Sequence, residues 1–261
     1  MSERDDRPRV AVFRPDDDRL AAARSLLTEF GVDPVADPML AVEPADATPR
    51  DADYVVFTSK TGAELVADAG WAPGDATVVA IGPKTAEALE AAGYAVDLVP
   101  DDYSSTGLVE TLADRIESEE PRASASRPAS DGTSVEVARS DHGSPVLLDG
   151  LRDAGADVHE TVLYRLVRPE GAGESAELAA SGDLDAVCFT SSLTVEHFLD
   201  AADARGVRAA AIVGLNAAVV GVIGEPTRET ATSFGVDVDV VPTEATFEAL
   251  ARETVAELRN R

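Results

Sequence analysis

Two short triplets stand where this chain could do chemistry: Phe57-Thr58-Ser59 and Phe189-Thr190-Ser191 each end an apolar run and open a helix-like pattern. Small hydroxyls and unpaired amide N–H groups at a helix start form an anion-binding site, because the first four N–H groups lack partners within the helix and the dipole adds partial positive charge. The same residues are ordinary N-caps. A second loop type occurs twice as well, Ile81-Gly82-Pro83-Lys84-Thr85 and Ile223-Gly224-Glu225-Pro226-Thr227. There, glycine lets a ligand approach the backbone and proline pre-sets the first helical turn. The chain has two lysines, and both stand at these loops in the first half: Lys60 follows Phe-Thr-Ser and Lys84 follows Gly-Pro. In open α/β sheets that edge receives ligands, so both lysines are candidate anion contacts.

Other chemistries lack their residues. His142, His159 and His197 are scattered without metal-site spacing, and Cys188 sits inside the apolar run AVCF. The sequence holds no Gly-x-Ser-x-Gly elbow, no phosphate loop and no three-glycine dinucleotide fingerprint. No metal or cofactor is expected.

The elements that must carry these loops alternate in type. Residues 10–13, 54–58, 78–81 and 96–99 read as strands. Helical spacing runs through 20–30, 63–69, 85–92 and 106–116, and alternation of this kind predicts a parallel sheet. Residues 117–134, rich in Ser, Pro and charge, read as a flexible loop. The second half then repeats the first. Gly82, Thr85, Gly93 and Pro100 recur as Gly224, Thr227, Gly235 and Pro242, each 142 positions on. YVVFTSKTGAELV is matched by AVCFTSSLTVEHFL, and RVAVFRP loosely by SVEVARS. Two related α/β units are expected, presenting equivalent loops to one ligand in a cleft.

Forty-nine acids face 22 bases, a net charge of −27, spread along all 261 residues. That distribution suits a protein kept soluble in concentrated salt, where the Debye length falls to about 3 Å at 1 M. No basic stripe exists to neutralise phosphates, which argues against nucleic acid as a partner. The longest weakly polar run, 209–224, falls short of the ~20 residues that span a bilayer, so no membrane association is expected. The N-terminus shows no secretory pattern, and the cytoplasm is the expected compartment.

These motifs, in this order, resemble the uroporphyrinogen-III synthase family: the opening strand with Arg14-Pro15, both Phe-Thr-Ser segments, both Ile-Gly…Thr segments, the stretch from Tyr103 to Leu108 and Val162-Leu163-Tyr164-Arg165. The resemblance covers nearly the whole chain. It implies an α/β fold of two similar, flavodoxin-like domains with parallel sheets, joined by a two-stranded β-ladder. Residues 1–37 plus 169–261 would form one domain and 45–160 the other, with 38–43 and 161–168 as the ladder. It further implies a cofactor-independent lyase that closes hydroxymethylbilane, a linear tetrapyrrole with eight carboxylates, into uroporphyrinogen III with inversion of the last ring and loss of water.

Carried onto this chain, the resemblance makes Tyr164 the candidate catalytic residue, donating to the departing hydroxyl. Candidate substrate contacts are Arg14, Thr58, Ser59, Lys60, Gly82, Lys84, Thr85, Arg139, Thr190, Ser191, Ser192, Gly224 and Thr227. After Arg139, where bacterial members often carry a glycine and a second arginine, this chain reads Ser-Asp-His-Gly-Ser-Pro. A charge of −27 repels an octa-anion at long range, so recognition is expected through amides, hydroxyls and a few cations at short range, in salt. A monomer is expected, with passing contact to the enzyme that supplies the bilane. The alternative reading is a non-catalytic two-domain protein of the same fold that binds or senses an anionic small molecule. Tyr164 between hydroxyl-bearing loops favours the enzyme.

Overall fold

The computed structural model describes residues 7–118 and 132–261. Most of the 117–134 stretch expected as a loop therefore lies outside the described residues. In chain order the elements are β1 (Arg9–Val12), α1 (Asp18–Glu29), β2 (Asp33–Ala36), β3 (Ala41–Pro44), β4 (Tyr54–Phe57), α2 (Lys60–Asp68), β5 (Thr77–Ala80), α3 (Pro83–Ala91), α4 (Ser105–Ser118), β6 (Ser134–Ser140), α5 (Pro145–Asp153), β7 (Asp157–Val167), α6 (Glu174–Ser181), β8 (Ala186–Phe189), α7 (Ser192–Ala204), α8 (Arg208–Ala217), β9 (Val219–Val222), α9 (Glu225–Ser233) and α10 (Phe247–Asn260).

The chain divides into two units, one of residues 1–41 and 167–261 and the other of 42–166. The first unit holds the sheet β2-β1-β8-β9 and the second the sheet β3-β7-β6-β4-β5, with β3 beside β7 at its edge. Strand pairs β1·β2, β1·β8 and β8·β9 are parallel, as are β4·β5, β4·β6 and β6·β7. The expected α/β class with two parallel sheets is thus the observed one.

Each sheet is buried on both faces, which explains why its strands read as unbroken apolar runs. Val10, Val12, Ala186 and Cys188 pack on one face of the first sheet. Ala11, Phe13, Val187 and Phe189 pack on the other, where the rings of Phe13 and Phe189 stack at 4.8 Å. In the second sheet Tyr54, Val56 and Val137 face α4 and α5, while Val55, Phe57 and Ala138 face α2 and α3.

The repeat is visible bond by bond. Val78 N–H donates to Asp97 Oδ2 at 2.8 Å, and Val220 N–H to Asp239 Oδ2 at 2.8 Å. Ala80 N–H reaches the Leu98 carbonyl and Val222 N–H the Val240 carbonyl, both at 2.9 Å. Helices α3 and α9 each end at a glycine of positive φ, Gly93 at 91° and Gly235 at 81°, a backbone state that favours glycine. These bonds also correct one expectation: residues 96–99 do not form a strand, and Leu98 makes a single bridge to Val79. The Asp97 carboxylate takes the Val78 amide that a longer strand would have paired, which stops the ladder after one bridge.

Laying the repeat on the sheets shows how it is shared out. Each copy runs through four strands, β1, β2, β4, β5 and then β6, β7, β8, β9. The first sheet joins β1 and β2 of the first copy to β8 and β9 of the second, and the second sheet joins β6 and β7 to β4 and β5. Apart from the edge strand β3, the two sheets therefore have the same order, each built from half of either copy, and the first unit is discontinuous in sequence.

Candidate functional site

In a doubly wound sheet the crevice opens at the C-terminal ends of the two strands from which the connections diverge. Those strands are β1 and β8 in the first unit and β6 and β4 in the second. The residues at their ends are Arg14 and Thr190-Ser191 in one unit, and Arg139 and Thr58-Ser59 in the other. Arg14 and Arg139 occupy equivalent places, because Val10 pairs with Ala186 as Val135 pairs with Tyr54.

In the second unit Ser59 is the N-cap of α2, and its Oγ accepts from Gly62 N–H at 3.0 Å. The same Oγ accepts from the Tyr164 hydroxyl at 3.0 Å. Tyr164, 6% exposed, comes from β7, 105 residues further along. With both acceptor directions of Ser59 Oγ in use, its own O–H is the group left to donate to a ligand. Tyr164 arrives there through a slip in the ladder: Arg139 pairs with Val162, but Ser140 pairs with Tyr164.

Gly82 caps α3 with no side-chain bond, and its bare backbone lies under the ring of Tyr103: a Cβ there would stand 3.3 Å from Tyr103 Cβ and Cγ. Tyr103 is 60% exposed, and in the sequence it stands out only as part of a longer motif. Thr85 is buried, its N–H bonded to the Gly82 carbonyl.

Arg139 is buried and already committed, its Nε donating to Glu160 Oε1 at 2.6 Å and a terminal nitrogen to the Ser144 carbonyl. Its charge is neutralised by the neighbouring strand, which leaves it a weaker anion contact than expected. Lys60 and Lys84 lie at the first turns of α2 and α3 and line one open groove of about 650 Å³ between those helices, along with Glu64 and Glu87. Lys60 pairs with Glu64 at 3.2 Å, an exposed contact of small energetic weight.

In the first unit Ser191 caps α7 in a reciprocal capping box with Thr194. Thr190 donates to the Phe13 carbonyl at 3.2 Å, tying the two strand ends together. Ser192 donates to the Pro226 carbonyl and accepts from Thr230, so it joins α7 to α9. Gly224 caps α9 with open space above it, and Thr227 is buried with its N–H on the Gly224 carbonyl. Arg14 lies over the Phe247 ring at 5.0 Å and has no carboxylate within ion-pair distance among the described residues. Partial burial foremost, and Arg19 nearby, lower its affinity for the proton, partly offset by Asp17. It remains cationic, and a half-desolvated cation of this kind interacts strongly with an incoming carboxylate.

The structure therefore brings Ser59 and Tyr164 into contact, sets Thr58 beside them and gathers Gly82, Thr85 and Tyr103 at the neighbouring loop; it directs Lys60 and Lys84 into a separate groove. Among the described residues no three His, Cys, Asp or Glu side chains converge to hold a metal ion. No helix there is long and apolar enough to cross a membrane.

Two parallel α/β units, each built from strands of both sequence repeats and each carrying a hydroxyl-capped helix at its switch point, define a class of duplicated, doubly wound proteins. Residues 21–252 match the family described as Uroporphyrinogen-III synthase HemD. The chain belongs to that family. Over 162 residues it is 35% identical to a Methanothermobacter thermautotrophicus protein provisionally named as a uroporphyrinogen-III synthase, a match over 59% of this chain and 58% of that relative. It is 26% identical over 200 residues to YjjA, an uncharacterized protein of Bacillus subtilis, spanning 71% of this chain and 68% of that one. Crystal structures of a mutant uroporphyrinogen III synthase from Thermus thermophilus (22% identity, TM-score 0.64, 97% of this chain and all of that one) and of uroporphyrinogen-III synthetase from Helicobacter pylori (15%, 0.58, 97% and all) share its fold.

Proposed function

We propose that the protein is an active uroporphyrinogen-III synthase, converting hydroxymethylbilane to uroporphyrinogen III with loss of water. Membership of the family supports the reaction class, and one observation carries the assignment to this chain: Tyr164 and Ser59 share a 3.0 Å hydrogen bond at the switch-point edge of the second unit. The substrate supplies most of the reactivity. Departure of the bilane hydroxyl is driven by the pyrrole electrons and leaves an azafulvene; the oxygen leaves as water, taking up the proton that the pyrrole N–H releases. Attack by the substituted carbon of the last ring, followed by rearrangement, closes the macrocycle with that ring inverted. The protein must fold the chain for that attack and stabilise the departing oxygen.

Tyr164 and Ser59 form the donor pair for that oxygen. Tyr164 holds Ser59 so that the serine O–H points outward, and on binding either hydroxyl donates to the leaving group. In the second unit the helix start at Gly82, the Thr58 hydroxyl and, from the adjoining groove, Lys60 and Lys84 take substrate carboxylates; in the first unit the helix start at Gly224, the Ser191 hydroxyl and Arg14 form the corresponding anion site, and Thr85, Thr190 and Thr227 shape these loops. Arg139 serves chiefly to hold β7 through Glu160. Because the −27 charge repels a polyanion, concentrated salt, which screens that repulsion, is the medium in which binding works best.

The test supplies freshly generated hydroxymethylbilane at molar salt and separates the type I and type III isomers. Type III product is expected; only type I, which forms spontaneously, rejects the proposal.

A further inference from the structure

Tyr164 reaches Ser59 only because the strand that carries it is irregular. Strands β6 and β7 pair in step as far as Arg139 and Val162; beyond that Ser140 faces Tyr164, and Leu163 is the extra residue. Neighbours on a regular strand point to opposite faces, yet Leu163 and Tyr164 both enter the core on the α2 and α3 side. Beyond the bulge the ladder resumes with Ser140 opposite Tyr164, where β6 ends, so the tyrosine is held at the margin of the pairing.

Asp141, the residue after β6, holds this end of β7 twice, once through its main chain and once through its carboxylate. Its N–H donates to the Tyr164 carbonyl at 3.2 Å, and its Oδ1 accepts from Leu166 N–H at 3.0 Å. One residue thus clasps the backbone at Tyr164 and again two positions later. His142 Nδ1 lies 2.8 Å from the same oxygen and fixes the carboxylate. Burial would raise the Asp141 carboxyl, but the His142 and Leu166 hydrogen bonds outweigh it and hold the group below its ordinary value, so it is ionised at neutral pH.

We infer that Asp141 is a positioning residue for Tyr164, clasping the bulged segment of β7 so that the phenol meets Ser59. The inference rests on the role given to Tyr164 above.

The test compares wild type, Asp141→Ala, Asp141→Asn, Tyr164→Phe and the Asp141→Ala/Tyr164→Phe double variant. Asp141→Ala is expected to lower kcat about 10- to 100-fold, the scale of a reacting group displaced by about an ångström, with KM little changed. Asp141→Asn keeps an acceptor for Leu166 N–H and should recover most of that loss. Adding Asp141→Ala to Tyr164→Phe should cost nothing further, since the residue acts only through the phenol. Losses that multiply in the double variant, or an unchanged kcat in Asp141→Ala, overturn the inference. If Asp141→Ala does not fold, Asp141→Ser, too short to reach Leu166 N–H, replaces it. NMR of ring-labelled tyrosine gives a readout independent of turnover, as the chain has four tyrosines and Tyr164→Phe assigns the signal. In Asp141→Ala the Tyr164 signal alone should broaden or shift, and an unmoved signal refutes the clasp. Wild type that makes only type I product defeats the functional reading and leaves this spectroscopic result to decide the clasp.

Discussion

Ser191 and Ser59 begin equivalent helices after equivalent strands, yet the two caps are completed in opposite ways. In the first unit Thr194, fully buried, occupies the third helical position and closes the box: its N–H donates to Ser191 Oγ and its Oγ1 accepts from Ser191 N–H, both at 3.2 Å. In the second unit that position is Gly62. A Cβ there would stand 3.1 Å from Leu163 Cδ1 and 3.2 Å from Ser59 Oγ, so the absence of a side chain leaves room for β7 to approach and for Tyr164 to take the place beside the cap. One cap is closed on itself. Its counterpart stays open to a phenol from a distant strand, and in the proposed reaction that open cap is where the departing oxygen is met.

The largest effect is expected from Tyr164→Phe, which removes the phenol and keeps the ring. Initial rates of type III formation should fall about 100-fold, the scale of losing one donor to a developing oxyanion, while stability changes by about 1 kcal/mol or less. Gly62→Thr, which would build the closed cap into the second unit, comes next. It should press Leu163 and Tyr164 away from Ser59 and lower kcat about 10-fold in a protein that still melts cooperatively; an unaltered kcat would show that the open cap has no catalytic meaning.

Replacing Lys60 and Lys84 together by Gln should raise KM a few-fold at low salt and progressively less at molar salt, and a KM that does not move would remove the lysines from the site. Thr194→Val opens the first cap. Thermal unfolding should report a loss of about 1 kcal/mol, with kcat unchanged.

The smallest effect separates the strands themselves. Cys188 on β8 occupies the place of Val56 on β4, and burial pushes its thiol up from 9.0 to about 12. A raised folded value favours the protonated form, so its contribution is intact below pH 9 and declines as pH climbs from about 9 towards 12. Cys188→Val should abolish that alkaline decline as seen by denaturant titration across the range.

Much of the fold was legible because its signals are local. A βα turn needs glycine, a small hydroxyl or proline at fixed places, and these recur at a constant offset, as Gly82 and Gly224 do. Residues 96–99 looked like a strand because their apolar pattern is local too, while the Asp97 carboxylate that ends the pairing acts across to Val78. The sharing of the copies between two units came only through the family resemblance, which implies a discontinuous first domain; the residues alone do not carry it, since it depends on which strands pair and not on what each contains.

The site was legible in part for the same reason. Ser59 announces itself as a helix cap, but its partner Tyr164 lies 105 residues away. Nothing near Arg139 forecast that Glu160 would neutralise it. The bulge at Leu163 has no composition of its own, and Gly62 reads as an ordinary helical glycine until β7 is packed against it.

The most direct measurement places Tyr164→Phe and Thr194→Val beside wild type in one assay of type III uroporphyrinogen formation at molar salt. An open cap that carries the chemistry predicts a rate about 100-fold lower for Tyr164→Phe and a wild-type rate for Thr194→Val. Equal rates for Tyr164→Phe and wild type would contradict it.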